Sequence, residues 1–183
     1  MSGAPLQLQR YEAPCGVLLL GAWRGNLCLC DWLDEDGNDA SSSSLQSLLQ
    51  MLQTHPVFAP SDVIRQTIQA LDEYFAGERQ SFTELPLLQI GSGFQRRVWH
   101  LLRQIPYGAT TSYGALAEAM GASSAMRAVA GACGCNPVSV IVPCHRVIGK
   151  DHRLVGYGGG LDAKQYLLDL EQRQLHLHFL RYP

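Results

Sequence analysis

Asn136-Pro-Val-Ser-Val-Ile-Val-Pro-Cys-His-Arg-Val-Ile148 places a cysteine at the end of an apolar run. Val138, Val140, Ile141 and Val142 have the β-branched, apolar character of a short buried strand. Pro143 removes a backbone donor and fixes one dihedral, so regular pairing should end there and leave Cys144 at a break in the scaffold. His145 and Arg146 follow at once, two cation-forming side chains beside a thiol whose nucleophilic form is the thiolate. The triplet suits an activated cysteine. It also suits an inert one, because cysteine is among the most buried residue types.

Upstream, Ser92 and Gln95 have capping-box spacing ahead of the stripe Phe94, Val98, Leu101, Leu102 and Ile105, and Pro106 with Gly108 closes that helix. Thr110 to Tyr113 read as extended, with Ser112 as cap of a short helix through Met120 and Gly121 as the turn. Ser123 then caps a second helix to about Cys133, so residues 113–133 have helix-turn-helix proportions. Ala125, Ala128, Ala130, Gly131 and Ala132 leave this second helix short of side chains, which allows close approach of a ligand and equally allows tight helix packing. Arg127 is the side chain that would project from it.

Downstream, Gly156-Tyr157-Gly158-Gly159-Gly160 is irregular and lacks the Gly-Lys-Ser/Thr of a phosphate loop. Asp162 caps a last helix, Ala163 to Glu171. Glu171 shares a face with Leu167 and Leu168, and a carboxylate turned toward a core needs a histidine or arginine partner.

The first half reads differently. Gln7 to Trp32 alternates apolar runs with turn residues and predicts two or three antiparallel strands, with Cys28, Cys30 and Trp32 on one buried face. Asp34 to Ser44 is an acidic, serine-rich surface loop. Leu45, Leu48, Leu49 and Leu52 behind Ser44, then Ile64, Ile68, Leu71 and Phe75 behind Ser61, predict two amphipathic helices, the second stopped at Gly77. Glu84 to Ile90 reads as a linker. The expected division is 1–91, a structural α/β domain, and 92–183, which carries the chemistry.

Within 183 residues the two halves differ sharply in charge: residues 1–92 hold 4 Lys or Arg against 11 Asp or Glu, a balance of −7, and residues 93–183 hold 10 against 5, a balance of +5. The basic half suggests an anionic partner, with nucleic acid the obvious one. The amino terminus lacks a signal-peptide pattern and the longest apolar run, Val17 to Leu20, is far short of a membrane span, so a cytoplasmic protein with no membrane role is expected. Cys15, Cys28, Cys30, Cys133, Cys135 and Cys144 are then expected as thiols, and neither Cys-x-Cys pair has zinc-knuckle spacing.

With these residues assembled, the chain resembles the methylated-DNA-protein-cysteine methyltransferases, which repair guanine alkylated on O6. The match rests on Asn136-Pro137, Ile141 to Ile148, Gly156 to Gly160 and Glu171, with Val98-Trp99, Ile105 to Gly108 and Ser112-Tyr113 at corresponding separations. The resemblance implies an α/β (α+β) fold: a small ribonuclease-H-like N-terminal domain and a mainly helical, winged-helix-like C-terminal domain carrying the helix-turn-helix. It implies Cys144 as nucleophile, His145 drawing off its proton through a water, Glu171 orienting His145, Tyr113 donating a proton to the departing base, and Asn136 bracing the active-site turn. Arg127 would be the finger that fills the gap left by a flipped nucleotide, with Ala128, Gly131 and Ser112 as further DNA contacts in the minor groove. Val147, Tyr157 and Gly158 would line the base pocket with Tyr113. No cofactor and no turnover are implied; some relatives bind zinc in the amino-terminal domain, but no full ligand set maps onto this chain and no metal site is assigned. The partner would be double-stranded DNA carrying alkylated guanine, bound by a monomer.

Other classes remain. A lesion-binding protein without alkyl transfer would, in the related alkyltransferase-like proteins, carry tryptophan in place of the cysteine. A regulatory helix-turn-helix protein would need a further regulatory half. A cysteine hydrolase would need an oxyanion hole, and none is visible in the sequence.

Overall fold

The computed structural model describes residues 4–33 and 43–181, with side chains through Leu177. Two compact units divide it: Met1–Gly91 with Pro137–Ile141, and Ser92–Asn136 with Val142–Pro183. A division at 91/92 alone therefore omits the five residues that the first unit takes back.

In the first unit β1 (Leu6–Ala13), β2 (Gly16–Trp23) and β3 (Asn26–Trp32) form the expected antiparallel meander. Arg24 and Gly25 both have positive φ, the geometry that a tight hairpin turn requires and that glycine supplies most easily. A short strand, β4 (Pro56–Phe58), pairs parallel with β1 and was not anticipated; the sheet order is β3-β2-β1-β4. Three residues of strand carry too little periodicity to be read from sequence.

The two expected helices are α1 (Ser43–Leu52) and α2 (Asp62–Phe75). Ser44 lies inside α1 rather than capping it, and Ser61 stands at the cap position of α2 without a side-chain bond. Leu6, Leu8, Leu19, Cys28, Leu29, Leu45 and Leu48 pack into one core, and Cys30 and Trp32 are buried with them in the same unit. Of the expected loop Asp34 to Ser44, residues 34–42 lie outside the described residues, and Ser43 and Ser44 already belong to α1. Glu84 to Ile90 is no free linker: Leu27 donates to Pro86 O at 2.8 Å and Leu88 to Leu27 O at 2.9 Å.

The strand expected at Val138–Val142 does not form. Cys30 donates to Pro137 O at 2.8 Å and Ser139 to Cys30 O at 2.6 Å, and there the pairing stops. Val140 has φ 69 and Ile141 N donates to Ser139 O at 2.8 Å, a three-residue turn where the β-branched run predicted extension.

The second unit is mainly helical. α3 (Gly93–Leu102) carries the expected capping box, with Gln95 N to Ser92 Oγ at 3.2 Å and Ser92 N to Gln95 Oε1 at 2.8 Å. β5 (Thr111–Ser112) leads into α4 (Tyr113–Ala119), and Ala115 N bonds Ser112 Oγ at 3.1 Å. Gly121, φ 67, makes the turn. The following helix starts later than expected, because Ser123–Ala125 is a 3-10 turn; α5 runs Met126–Gly134 and has no side-chain cap. The Trp99 indole N–H, fully buried, donates to Ala132 O at 2.8 Å and joins α3 to α5.

After a second 3-10 turn at Cys144–Arg146, β6 (Val147–Ile148) pairs parallel with β5. The last helix, α6 (Gly160–Arg181), is longer than the expected Ala163–Glu171 at both ends. Asp162 falls in its first turn rather than at its cap, and Gly160 belongs to it. The α/β architecture with a helix-turn-helix follows the expectation. Among the described residues no helix is long and apolar enough to cross a membrane.

Candidate active site

The reactive turn is built by two successive reversals. Pro143, at φ −82 and ψ 64, lets Cys144 N donate to Val142 O at 2.8 Å, and the next three residues close a 3-10 turn. Cys144 therefore leaves its flanking backbone at an angle, as the sequence suggested, although the preceding scaffold is a turn and not a strand. Asn136, buried, donates through Nδ2 to Val142 O at 2.9 Å and to Cys144 Sγ at 3.3 Å. One amide thus braces the turn and presents a donor to the sulfur, where it favours negative charge.

His145 and Glu171 are fully buried and meet at 2.8 Å between Nε2 and Oε1. An ionised carboxylate only accepts, so Nε2 carries the proton and Nδ1 keeps its lone pair. Nδ1 is itself buried and has no hydrogen-bond partner among the described residues. Burial, with Arg146 and Lys164 nearby, pushes the imidazole pKa down against the pull of Glu171, so the resting ring is neutral.

Burial would raise the Glu171 pKa, but bonds and charge from His145 and Arg146 outweigh it and bring it down to about 2. Arg146 supplies the lasting positive charge. Its Nε and Nη2 grip the carboxylate at 3.0 Å, and Nη1 donates to Ile105 O at 2.7 Å. Gly108 N adds a donor to Oε2 at 2.8 Å. Its position on an apolar helix face called for a histidine or an arginine, and Glu171 has one of each.

Beside Cys144 lies a cavity of about 470 Å³, lined by Tyr113, Cys133, Cys144, Val155, Tyr157 and Gly158 among others. Tyr113 Oη donates to Val155 O at 3.4 Å, and burial, then the neighbouring thiols, pushes its pKa up to about 12, so it stays protonated. Cys133 is likewise held as a thiol, at about 12, mainly by burial. Val147 does not line the cavity: its side chain is fully buried and its carbonyl accepts from Lys164 Nζ at 2.7 Å.

On α5, Arg127, Ala128 and Gly131 are exposed, and a Cβ placed at Gly131 or Gly134 would meet open space. Among the described residues nothing packs closely enough to require those glycines. Ser112, expected among the DNA contacts, is occupied as the cap of α4 and is half-buried.

Two residues of the site escaped the sequence reading. Arg146 entered only as a cation beside the thiol, and Lys164 did not enter at all; a single lysine among the several charged residues of α6 gives no local sign of burial. Among the described residues no group of three His, Cys, Asp or Glu is placed to hold a metal ion.

A buried Cys-Asn pair and a His-Glu-Arg cluster lie beside a cavity and a helix-turn-helix. The DNA-binding domain of 6-O-methylguanine DNA methyltransferase matches residues 93–173. A methylated-DNA–protein-cysteine methyltransferase of Mycolicibacterium paratuberculosis is 57% identical over 106 residues, 58% of this chain and 64% of the relative. One of Haemophilus influenzae is 50% identical over 103 residues, 56% and 58% of the two chains. A probable one of Acanthamoeba polyphaga mimivirus is 46% identical over 110 residues, 60% and 73%. The matches thus span under two thirds of the first two relatives' length. The crystal structure of Mycobacterium tuberculosis O6-methylguanine methyltransferase is similar with a TM-score of 0.76 at 36% identity, covering 94% of this chain and 99% of that one. The crystal structure of Mycobacterium tuberculosis OGT in complex with DNA is similar with a TM-score of 0.76 at 37% identity, covering 92% of this chain and 94% of that one. The chain belongs to the methylated-DNA–protein-cysteine methyltransferase family.

Proposed function

We propose that this protein repairs DNA by moving an alkyl group from O6 of guanine in duplex DNA onto Cys144 Sγ, once per molecule. The observation that carries the reading is the tautomer-fixed His145, whose buried Nδ1 lone pair belongs to the residue adjoining the thiol. Through one bridging water Nδ1 takes the Cys144 proton. The thiolate displaces guanine at the alkyl carbon, the C–O6 bond breaks with its electron pair on the base, and a C–S bond forms. Tyr113, protonated and lining the same cavity, gives its proton to the departing base and recovers one from the His145 imidazolium through solvent. Net, the thiol hydrogen has gone to guanine.

The product is a thioether with a poor leaving group, which accounts for a single turnover. Asn136 steadies the sulfur while charge develops on it, and Glu171 holds His145 and stabilises its cation. Tyr157 and Gly158 line the pocket for the base, which reaches it by rotating out of the duplex. The exposed Arg127 fills the vacated stack, and the small face of Ala128 and Gly131 enters the minor groove. The whole site comes from one unit of one chain, which supports a monomer, acting in the cytoplasm on its DNA.

Intact-protein mass spectrometry tests this. Mixed with a duplex containing O6-methylguanine, the protein should gain one methyl group, located on Cys144 by peptide mapping. An unmodified protein with unchanged DNA would sink the proposal and favour lesion binding without transfer.

A further inference from the structure

The chain has two lysines, Lys150 and Lys164, and the second is fully buried. Its ammonium donates to the carbonyls of Val147 at 2.7 Å, Val155 at 2.8 Å and Gly156 at 3.5 Å. Among the described residues it makes no ion pair. A buried ammonium without a counter-ion is costly, and three backbone carbonyls are a costly way to hold one unless their arrangement matters. Val155 and Gly156 line the cavity beside Cys144; Val147 directly follows the Cys144–Arg146 turn. The Val155 carbonyl also accepts from Tyr113. One ammonium therefore joins the cavity wall, the end of the reactive turn and, through a shared carbonyl, the tyrosine.

We propose that Lys164 is a positioning residue for alkyl transfer: it clamps the Val155–Gly156 wall to Val147, and so fixes where a base in the cavity sits relative to Cys144 Sγ and Tyr113 Oη. This rests on reading the cavity as the base pocket. Lysine suits the role because a tetrahedral ammonium converges on three carbonyls from one point, whereas a planar guanidinium cannot. Burial lowers its pKa while a thiolate at Cys144 or Cys133 would raise it, so the clamp and the ionised nucleophile favour one another.

The test compares wild type with Lys164→Met, which keeps the stem and removes the donors. Under single-turnover conditions at saturating O6-methylguanine duplex, methyl transfer should fall about 30-fold or more, the size of effect that loss of a positioning contact produces. Affinity for unmodified duplex should stay within about threefold. The rate at which iodoacetamide alkylates Cys144, read on the high-pH plateau, should also stay within about threefold, because that small electrophile needs no seated base. A transfer rate within threefold of wild type, or an iodoacetamide plateau that falls as far as transfer, would overturn the clamp. Wild type that takes no methyl group would instead overturn the reading of the site.

Should the methionine variant not fold, protein that keeps Lys164 carries the test. Its two ¹⁵Nζ-labelled lysines give separable NMR signals, and that of Lys164 should be protected from exchange and should move when Cys144→Ser protein binds the lesion duplex. A Lys164 signal unmoved by the lesion duplex would overturn the proposal.

Discussion

Glu171 and His145 make the site sensitive to acid in a direction that can be worked out. Glu171 is depressed in the folded protein to about 2, so its contribution is complete above its unfolded value near 4.5 and is lost as pH falls from there toward 2. The size is on the order of 3 kcal/mol. His145 is also depressed, as a base kept neutral by burial; the unfolded chain therefore binds more protons below about pH 6.5, and stability falls with pH there too. Chemical denaturation between pH 7 and 3 should show stability declining below pH 6.5 and more steeply below 4.5, and Glu171→Gln should flatten the lower limb. The same variant should slow methyl transfer about 10- to 100-fold with duplex affinity nearly unchanged; an unchanged single-turnover rate would remove Glu171 from the mechanism. Arg127 makes the opposite split. Arg127→Ala should weaken duplex repair at least about tenfold while leaving reaction with a free base analogue within twofold, since only the duplex needs its stack filled. Cys144, His145 and Glu171 were legible because one apolar run and one helix face pointed at them. Arg146 was half legible: its guanidinium turns from the thiol to Glu171 and Ile105, 25 and 41 residues away, and no local pattern encodes such partners.

At the level of elements, the loop after α3 decides whether Glu171 is held. Gly108 has φ 73, its N–H donates to Glu171 Oε2, and a Cβ there would lie 2.1 Å from Leu175 Cδ1 on α6. Gly108→Ala meets an unfavourable dihedral and an overlap together, and should destabilise by about 2–4 kcal/mol in chemical denaturation. It should also depress methyl transfer, because relieving the overlap shifts the donor that Glu171 uses. Trp99 is the matching anchor between α3 and α5. Trp99→Phe leaves Ala132 O without its buried donor and should cost about 1–3 kcal/mol. A melting temperature equal to wild type would show that this bond does not hold α5. The elements that sequence revealed were those with local signals: the Ser92–Gln95 box, the Ser112 cap, the Gly121 turn. Those it missed depend on the surroundings. Val138–Val142 has strand composition, but after one bridge to Cys30 the chain reverses at Val140, and composition cannot show that reversal. Ser123 looks like a cap, yet a 3-10 turn intervenes before α5.

Across the whole chain the net charge of −2 would argue for repulsion from DNA if it were spread evenly. It is not: the residues up to 92 carry −7 and those from 93 carry +5, so the half that holds the helix-turn-helix and Cys144 is the cationic one. Association with a polyanion then depends on the local field within a screening length, about 8–10 Å at ordinary ionic strength, and not on the sum. Binding that rests on phosphate contacts releases counter-ions, so log affinity should fall linearly with log salt concentration. The face proposed for the duplex, Arg127 with alanine and glycine, is exposed and has few side chains able to read base edges. The two arguments converge on one measurement. Fluorescence anisotropy with two unmodified duplexes of unrelated sequence, each titrated from about 50 to 200 mM salt, should give steep parallel lines, with the duplexes within about threefold of each other at every salt concentration. Affinity indifferent to salt would remove DNA as the partner. A steep slope with a large difference between the duplexes would keep DNA but make this a sequence reader, the behaviour of a regulator and not of a protein that must inspect guanines wherever they lie.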